Sequence, residues 1–332
     1  MHSQDVGPIA QPVEQRTFNP WVDSSSLSGP TYSAYDKPMK IVVTGATGLL
    51  GNATAQHLLA QGHDVVAVDR REGEIAPSHP VIVGDLKDLN FCDSFMSGVE
   101  AVIHLAAIPN PTDKRQHEVF SNNVVSSFAV FSAAAHAGVR IVAYASSLSA
   151  YGFAYSESWS SPKYVPVDED HPLIYEESYA LSKEVNELSA AMWHSRTGIN
   201  FVGMRFPWTN LPDKTYELAA RARNEDSLPP DDRFPKGIVA KVLWCYLDLR
   251  DAAAALEAIV KSDFTGADTF NFAAPDTMAA EPTLELMKKF HPTTEICGDI
   301  SGNSAPYSSE RFINRFGYKP QYLLDRAKLA SL

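Results

Sequence analysis

The 332-residue sequence predicts an α/β fold with a doubly wound parallel sheet, in which helices cover both faces of the strands. Short runs rich in valine and isoleucine alternate with segments whose apolar residues recur at the i, i+3, i+4 spacing of a helix. Each short run is almost continuously apolar, which is typical of strands buried on both faces. The predicted strands are 40–44, 64–69, 81–84, 101–105, 140–145 and 200–205.

The helical segments between these strands end at glycines. Gly62, Gly138 and Gly198 each stand where an apolar helical pattern stops, and glycine readily adopts the left-handed conformation that closes a helix. Because parallel neighbours need a crossover connection, usually a helix, this alternation places the strands in one parallel sheet.

The alternation weakens after Arg205 and predicts a second, smaller lobe. The elements expected there are Pro/Asp-rich loops at 212–235, short helices at 284–290 and 310–316, and a strand, helix and strand at 246–249, 250–261 and 269–272 that return to the main sheet. The predicted division is a main domain of 39–205, joined by about 245–273, and a discontinuous substrate-binding lobe made of 206–244 and 274–332.

Composition and charge exclude several classes of protein. The formal net charge of −12 would repel the phosphates of nucleic acids and anionic lipids. No apolar stretch reaches the roughly 18 residues of a membrane span, and the N-terminus lacks the apolar region of a signal peptide. Three widely spaced cysteines, Cys92, Cys245 and Cys297, argue against a disulfide framework and a zinc site. We therefore expect a cytoplasmic protein with no metal and no nucleic-acid or membrane partner.

Residues 1–38 are rich in serine, proline, glutamine and asparagine, carry no periodicity, and are expected to form a disordered tail. Within them, 9–21 resembles the peptide that results when a bacterial tRNA gene is translated by mistake, which would make Met39 the true start. The alternative is a genuine flexible leader. Neither interpretation gives the tail a catalytic role.

A glycine-rich loop directly follows the first predicted strand and opens the first helix. It runs Gly45-Ala46-Thr47-Gly48-Leu49-Leu50-Gly51. Gly45 permits a tight turn, Gly48 lets the backbone approach a pyrophosphate, and Gly51 allows close packing of helix on strand. Because the free N–H groups of a helix start attract phosphate, this arrangement predicts a dinucleotide-binding site.

Acidic residues stand at the carboxyl ends of the next two predicted strands. Asp69 can accept hydrogen bonds from both ribose hydroxyls of the adenosine and repel an extra phosphate, so it favours NAD. Arg70 and Arg71 leave NADP open, because a guanidinium can hold that phosphate. Asp85, followed by Leu86, is expected to meet the adenine amine, whereas His104 is expected to be a packed strand histidine.

A tyrosine and a lysine four residues apart open a later helix. Tyr179 and Lys183 would share one helix face. A phenol with a pKa of about 10 is a poor base at neutral pH, but a nearby ammonium and a nicotinamide cation favour the phenolate. Tyr179 would then remove a substrate hydroxyl proton while Lys183 holds the nicotinamide ribose. A serine from 145–149 would hold the substrate oxygen, and the spacing alone leaves Ser146, Ser147 and Ser149 open.

These motifs, in this order, resemble the extended branch of the short-chain dehydrogenase/reductase superfamily, also called the NAD-dependent epimerase/dehydratase family. The resemblance extends from Met39 to the end of the chain. The matching segments are Gly45 to Gly51, Asp85-Leu86, His104 to Ala107, Asn123-Val124, Ser146 to Gly152, Tyr179 to Lys183, Arg205 to Pro207 and Arg311 to Pro320.

The resemblance implies a Rossmann fold that binds NAD(P) and selects Ser147, four residues before Tyr151, as the catalytic serine beside Tyr179 and Lys183. The cofactor contacts that the motifs and the resemblance together predict are Gly45, Thr47, Gly48, Leu49, Leu50, Gly51, Asp69, Arg70, Asp85, Leu86, Leu105, Ala106, Ala107, Asn123, Tyr179, Lys183 and Phe206. Relatives of this fold commonly pair through two long helices, so a homodimer through 118–137 and 178–196 is expected.

Two departures from the family patterns narrow the reaction. Dehydratases carry an Asp-Glu pair where this chain has Leu148 and Ser149, and neither replacement can carry the proton. Members that bind nucleotide diphosphate sugars place an arginine and an asparagine where this chain has Trp244 and Pro207-Trp208. A nucleotide sugar would then need another cation, and the alternatives, if they are not ordinary surface charges, are Arg221, Arg223, Lys236 and Lys241.

We therefore expect an oxidoreductase that transfers a hydride between the nicotinamide and a secondary alcohol or carbonyl of a small sugar-like substrate, with Tyr179 as the base. Uronate dehydrogenases are the nearest resemblance in length and organisation. One alternative is a nucleotide-sugar 4-epimerase that retains its NAD. A second is a non-catalytic NAD(H)-sensing protein, against which the intact Ser147, Tyr179 and Lys183 argue.

Overall fold

The computed structural model describes residues 37–75, 79–111, 115–223 and 237–332. Its strands are β1 (Lys40–Thr44), β2 (Asp64–Asp69), β3 (Val81–Val83), β4 (Ala101–His104), β5 (Ile141–Ser147), β6 (Tyr164–Val165), β7 (Asn200–Phe206), β8 (Trp208–Asn210), β9 (Tyr246–Asp248), β10 (Ala267–Asn271) and β11 (Glu295–Ile296). Its helices are α1 (Leu49–Ala60), α2 (Leu89–Ser94), α3 (Gln116–His136), α4 (Ser178–Thr197), α5 (Pro212–Arg223), α6 (Ile238–Lys241), α7 (Leu249–Val260), α8 (Thr283–Phe290), α9 (Glu310–Phe316) and α10 (Arg326–Ser331), with a 3₁₀ helix over Leu148–Tyr151. The predicted tail lies almost wholly outside the described residues.

A seven-stranded sheet organises the chain, in the order β10-β7-β5-β4-β1-β2-β3. All of its pairings are parallel, which confirms the predicted doubly wound α/β fold. The strand order reverses between β1 and β4, since the chain runs outward from β1 to β3 and then returns to β4. In such a sheet the carboxyl ends of the strands at this reversal form the crevice that binds ligands.

Apolar side chains alternate between the two faces of the sheet. Ile41 and Val43 of β1 belong to a buried cluster with residues of α1 and α7, whereas Val42 belongs to a cluster with residues of α2, α3 and α4. This alternation follows from the two-residue period of a strand. Helices therefore cover both faces of the sheet, and their packing fixes the positions of the strand ends.

The strand expected over 246–249 does not join the main sheet, so that prediction is wrong. β9 instead pairs with β8 in a separate two-stranded sheet. The position beside β7 is taken by β10, whose residues pair with Phe201 to Arg205 along the strand. The helix and the second strand of the predicted unit do return, because α7 packs against α1 and β10 lies at the edge of the sheet.

Residues 212–223 form helix α5, where a loop was expected. Pro212 is the first residue of the helix, where its missing N–H breaks no hydrogen bond, and Asp213 in the first turn complements the helix dipole. The rest of that predicted loop, 224–235, lies outside the described residues.

A third apolar cluster lies apart from the two on the sheet. It includes Tyr151, Tyr246, Met287, Ile300 and Leu324. Its members come from segments far apart in the sequence, and they include Tyr151 and Tyr246 of the predicted main domain, so the predicted division into domains stays a prediction. No helix in the described part of the chain is long and apolar enough to span a membrane.

Candidate active site

The glycine loop packs tightly against its surroundings. Gly45 has a φ of +69°, and a Cβ there would lie 2.7 Å from the Ala106 nitrogen. A Cβ at Gly51 would lie 2.0 Å from the Gly45 oxygen. Gly48 precedes α1, and no side chain caps the N–H groups of its first turn. The loop thus leaves helix N–H groups available to an anion, and side chains at Gly45 and Gly51 would destroy the turn.

Asp69 ends β2 and is buried. Its carboxylate accepts hydrogen bonds from the backbone N–H of Thr47 at 3.0 Å and of Arg71 at 3.2 Å. The carboxylate therefore ties the glycine loop to the end of β2. An ionised carboxylate has about four lone-pair sites, so it can still accept hydrogen bonds from a ligand.

Asn123 fixes the loop after β4 by hydrogen bonds. The Asn123 amide accepts the N–H of Ile108 at 2.8 Å and donates to the Ile108 oxygen at 3.0 Å and to Ser182 Oγ at 3.2 Å. Asn123 is buried and does not line the cavity described below, and its predicted contact with a cofactor stays a prediction. Its polar atoms are used to position the loop that begins at Leu105.

His104 is the packed strand histidine that the sequence indicates. Its Nδ1 lies 2.8 Å from Thr44 Oγ1 and its Nε2 lies 3.0 Å from Ser127 Oγ. Burial, together with the positive charge of Lys183, lowers the pKa of His104 to about 3. The imidazole is therefore neutral and fully partnered within the core.

Tyr179 and Lys183 lie one turn apart on α4, whose start is capped by the Glu177 carboxylate. Lys183 Nζ is 5.3 Å from the centre of the Tyr179 ring and donates to the Ala145 oxygen at 2.7 Å. Burial lowers the pKa of Lys183 to about 8. Burial and the nearby Tyr155 raise the pKa of Tyr179, while a hydrogen bond with Ser147 favours its ionised form.

The structure separates the three candidate serines at the end of β5. Ser147 lies beside the Tyr179 phenol. Ser146 turns toward α4, where its hydroxyl donates to Glu187 at 2.5 Å. Ser149 donates its backbone N–H to Ser147 Oγ at 3.0 Å, which helps to orient that hydroxyl. Of the three serines, Ser147 is thus the one beside the tyrosine, and it is also the serine that the resemblance implies.

One cavity of about 730 Å³ brings most of the predicted site residues together. We call the lining residues from the Rossmann strand ends the loop wall: Gly45, Gly48, Leu49, Leu50, Gly51, Arg70, Arg71, Leu105 and Ala107. We call the lining residues from the lobe the lobe wall: Trp208, Thr209, Asn210, Leu218, Ile238, Val239, Lys241, Val242 and Tyr307. Ser147, Tyr179, Lys183 and Phe206 line the same cavity.

Several predicted cofactor residues lie behind this lining. Thr47, Asp69, Asp85, Leu86 and Ala106 do not line the cavity. The backbone N–H of Thr47 donates a hydrogen bond to the Asp69 carboxylate, as described above. Asp85 is largely exposed, accepts the Lys87 N–H at 3.0 Å and pairs with the Lys87 ammonium, while Leu86 is buried. Their predicted contacts with a cofactor stay predictions.

The sequence did not single out most of the lobe wall. Tyr155 and Tyr307 also line the cavity. Tyr155 follows the serine-bearing strand end by a few residues, and this nearness was an available signal, whereas Tyr307 stands far along the chain and offered none. Of the alternative cations, Lys241 lines the cavity and Arg221 and Arg223 do not, while Lys236 lies outside the described residues. Among the residues that the structure describes, no group of side chains is arranged to hold a metal ion.

This arrangement agrees with a comparison against family models, in which residues 41–217, just over half of the chain, match the NAD dependent epimerase/dehydratase family. The chain belongs to this family. The resemblance inferred from its motifs is thereby confirmed, and the chain is an NAD-dependent enzyme of the short-chain dehydrogenase/reductase superfamily. Membership does not by itself say which reaction the enzyme carries out.

Curated relatives within this superfamily have different activities. Sterol demethylase protein B of Methylococcus capsulatus is 33% identical over 182 residues, which are 52% of this chain and 54% of that protein. A UDP-glucose 4-epimerase of Corynebacterium glutamicum is 24% identical over 86% of this chain and 92% of its own length. An L-arabinose 1-dehydrogenase of Haloferax volcanii is 27% identical over 54% of this chain and 70% of its own length.

Solved structures match the fold over most of the chain. A short-chain dehydrogenase/reductase superfamily protein from Agrobacterium tumefaciens, with bound NAD, has a TM-score of 0.66 and 23% sequence identity. The match covers 88% of this chain and 95% of that one. It supports the Rossmann architecture described above.

Proposed function

We propose that the protein is an NAD-dependent dehydrogenase that interconverts a secondary alcohol and a carbonyl group on a small, sugar-like molecule. The observation that carries this proposal is the single cavity lined both by the glycine loop and by Ser147, Tyr179 and Lys183. A dinucleotide site and a proton-transfer group in one cavity are the two parts that hydride transfer needs.

The residues present fit NAD. The uncapped N–H groups at the start of α1 would bind the pyrophosphate, and Asp69 would accept the hydroxyls of the adenosine ribose. Lys183 would hold the nicotinamide ribose, with Leu105, Ala107 and Phe206 as apolar lining. We keep Asp85 and Leu86 as contacts for the adenine. When bound, NAD supplies the acceptor or donor of the hydride.

The chain's own residues handle the proton and the substrate oxygen. In the oxidation, the Tyr179 phenolate takes the proton of the substrate hydroxyl, and Ser147 donates a hydrogen bond to the same oxygen. Lys183 stabilises the phenolate by its positive charge, which opposes the effect of burial on Tyr179. Hydride leaves the carbon that bears this oxygen, so the alcohol becomes a carbonyl. In the reverse direction the phenol returns the proton.

The lobe wall favours a substrate without a nucleotide diphosphate. Among the described residues, Lys241 is the cation of this wall, and its ammonium already donates to the Ser156 oxygen at 2.6 Å. Trp244 is buried against Phe290 and does not line the cavity. One engaged ammonium is a poor partner for a pyrophosphate, which usually binds to arginine forks or several cations.

A UDP-sugar 4-epimerase is the second candidate. The similarity to the epimerase of Corynebacterium glutamicum over most of both chains favours it. An epimerase oxidises the sugar, turns the keto intermediate and returns the hydride from a cofactor that stays bound. Leu148 and Ser149 offer no acid-base pair, which argues against dehydration.

A homodimer is the proposed assembly. The apolar side chains Val125 and Phe128 on α3, and Leu181, Leu188 and Met192 on α4, are more than one-third exposed, and the two helices pack side by side. A second copy would cover this patch. Leu188→Glu is expected to convert the dimer into a monomer, measured by sedimentation velocity, and a wild-type monomer would refute the assembly.

The three free cysteines fit the proposed cytoplasmic location.

An absorbance assay separates the two reactions. Protein starting at Met39 is incubated with NAD or NADP and with uronates, aldoses, polyols and UDP-sugars, and the reduced nicotinamide is followed. Net reduction of NAD that requires Tyr179 supports the dehydrogenase. Conversion of a UDP-sugar without net reduction, with NAD(H) carried through purification, would instead support the epimerase and overturn the first proposal.

A further inference from the structure

Glu187 lies one turn beyond Lys183 on α4 and connects three elements beneath the active site. Its carboxylate accepts two hydrogen bonds from the Arg205 guanidinium, from Nε at 3.0 Å and from Nη2 at 2.7 Å. It also accepts the Ser146 hydroxyl at 2.5 Å. Arg205 belongs to β7 and Ser146 to β5, so one carboxylate joins both strand ends to the catalytic helix.

The partners of Glu187 are themselves fixed. Arg205 Nη1 donates to the Tyr151 hydroxyl at 2.9 Å, and Tyr151 donates to Asn271 Oδ1 at 2.8 Å. The arginine and glutamate side chains are only 7% and 11% exposed. A bidentate pair with so little access to water holds one geometry. Because Ser147 follows Ser146, the position of the catalytic serine depends on this pair.

The charge of Glu187 also acts on Lys183. Burial disfavours the Lys183 ammonium, and Glu187 is the carboxylate that opposes this effect. His104 faces Lys183 from β4 but is neutral, and Tyr179 faces it from its own helix. Glu184 is next to Lys183 in sequence, yet its carboxylate is hydrogen-bonded to Tyr175.

Removing Glu187 would leave two buried cations in one region. A guanidinium does not lose its proton in a protein, so Arg205 would stay charged. Tyr144 and Tyr175, the other titratable groups that face Glu187, are phenols whose pKa values burial raises, so they supply no negative charge at neutral pH. Lys183 is then the group that would lose its proton.

We propose that Glu187 is a positioning residue of this active site, which aligns the end of β5 with α4 and keeps the Lys183 ammonium charged. The inference rests on the proposed function only for its effect on activity. The alignment of β5 with α4 and the charge of Lys183 are properties of the protein without substrate. Glu187 touches neither substrate nor cofactor in this role, because it acts through Lys183, Ser146 and Arg205.

The direct test is the titration of Lys183 without substrate. Protein labelled with ¹³C at the ε-carbon of lysine is titrated by NMR, and Lys183→Arg identifies the resonance. The wild-type midpoint is expected at about 8. Glu187→Gln is expected to lower it by about one pH unit or more, whereas Glu184→Gln, which removes the same charge from the same helix, leaves it unchanged. Equal midpoints in wild type and a folded Glu187→Gln would overturn the proposal.

Activity supplies the second readout. The alkaline limb of the pH profile of kcat/KM should move to lower pH in Glu187→Gln and return toward wild type in Glu187→Asp, which restores the charge. If Glu187→Gln does not fold, Glu187→Gln combined with Arg205→Met removes both buried charges, and the Lys183 midpoint should fall by less than in Glu187→Gln alone, because the repulsion from Arg205 is removed together with the attraction of Glu187. A wild-type protein without Tyr179-dependent turnover would refute the proposed function, while the NMR midpoints would still decide the role of Glu187.

Discussion

The loop wall and the lobe wall of the cavity are built in different ways. The loop wall contains three glycines, of which Gly45 and Gly51 have no room for a Cβ, and α1 starts without a side-chain cap. The lobe wall is lined by larger residues, such as Trp208, Ile238 and Tyr307, which come from distant segments. The comparison indicates that the glycine positions of the loop wall tolerate little substitution, whereas the lobe wall can change its lining and hence its substrate.

The residues that line the cavity but belong to neither wall, Tyr179 among them, should show the largest effect. Tyr179→Phe removes the proton acceptor while keeping the ring, so we expect kcat to fall by about 10²- to 10⁴-fold with NAD binding retained. Initial rates of NADH formation measure kcat, and titration with NAD measures cofactor binding. Tyr164→Phe is the matched control, because Tyr164 bonds to Asp168 and does not line the cavity. Equal losses in both variants would contradict the assignment.

The loop wall should show the next largest effect. Gly51→Ala places a Cβ 2.0 Å from the Gly45 oxygen, and we expect a loss of about 3 kcal/mol in the free energy of unfolding, with weaker NAD binding. Gly62→Ala is the control, because nothing lies within 4 Å of a Cβ there and only its φ of +84° is unfavourable. That strain costs about 1 kcal/mol. Denaturant unfolding that finds Gly51→Ala as stable as Gly62→Ala would break the comparison.

A substitution in the lobe wall should have the smallest effect, and this effect should be on KM instead of on kcat or stability. Lys241→Met keeps the length of the side chain and removes its charge, so KM for an anionic substrate should rise by about tenfold, or about 1.4 kcal/mol. NAD affinity should not change, because Lys241 belongs to the opposite wall. Lys214→Met, at an exposed lysine that pairs with Glu217, is the control. Reduced NAD affinity in Lys241→Met would show that the two walls are not independent.

The same contrast explains which residues could be identified in advance. The residues of the glycine loop are neighbours in sequence, and so are Tyr179 and Lys183, so short spacings together with the order of the motifs predicted both sets. Glu187 gave no comparable signal, because its role depends on Arg205 and Ser146, which only the sheet brings to it. Asn123, for which a cofactor contact was predicted, is buried and hydrogen-bonded to Ile108 in the loop after β4 and to Ser182 on α4.

The sequence by itself determined the alternation of strands and helices, the family, and the residues of the glycine loop, since each depends on local periodicity or on short spacings. Tertiary structure alone decided that β9 pairs with β8, because β10 had already taken the position beside β7. It also decided which of the alternative cations enters the lobe wall, and it brings Ser147, the serine that the resemblance implies, to Tyr179. Such choices depend on contacts between distant segments, and these contacts exist only when the packed chain brings the segments together.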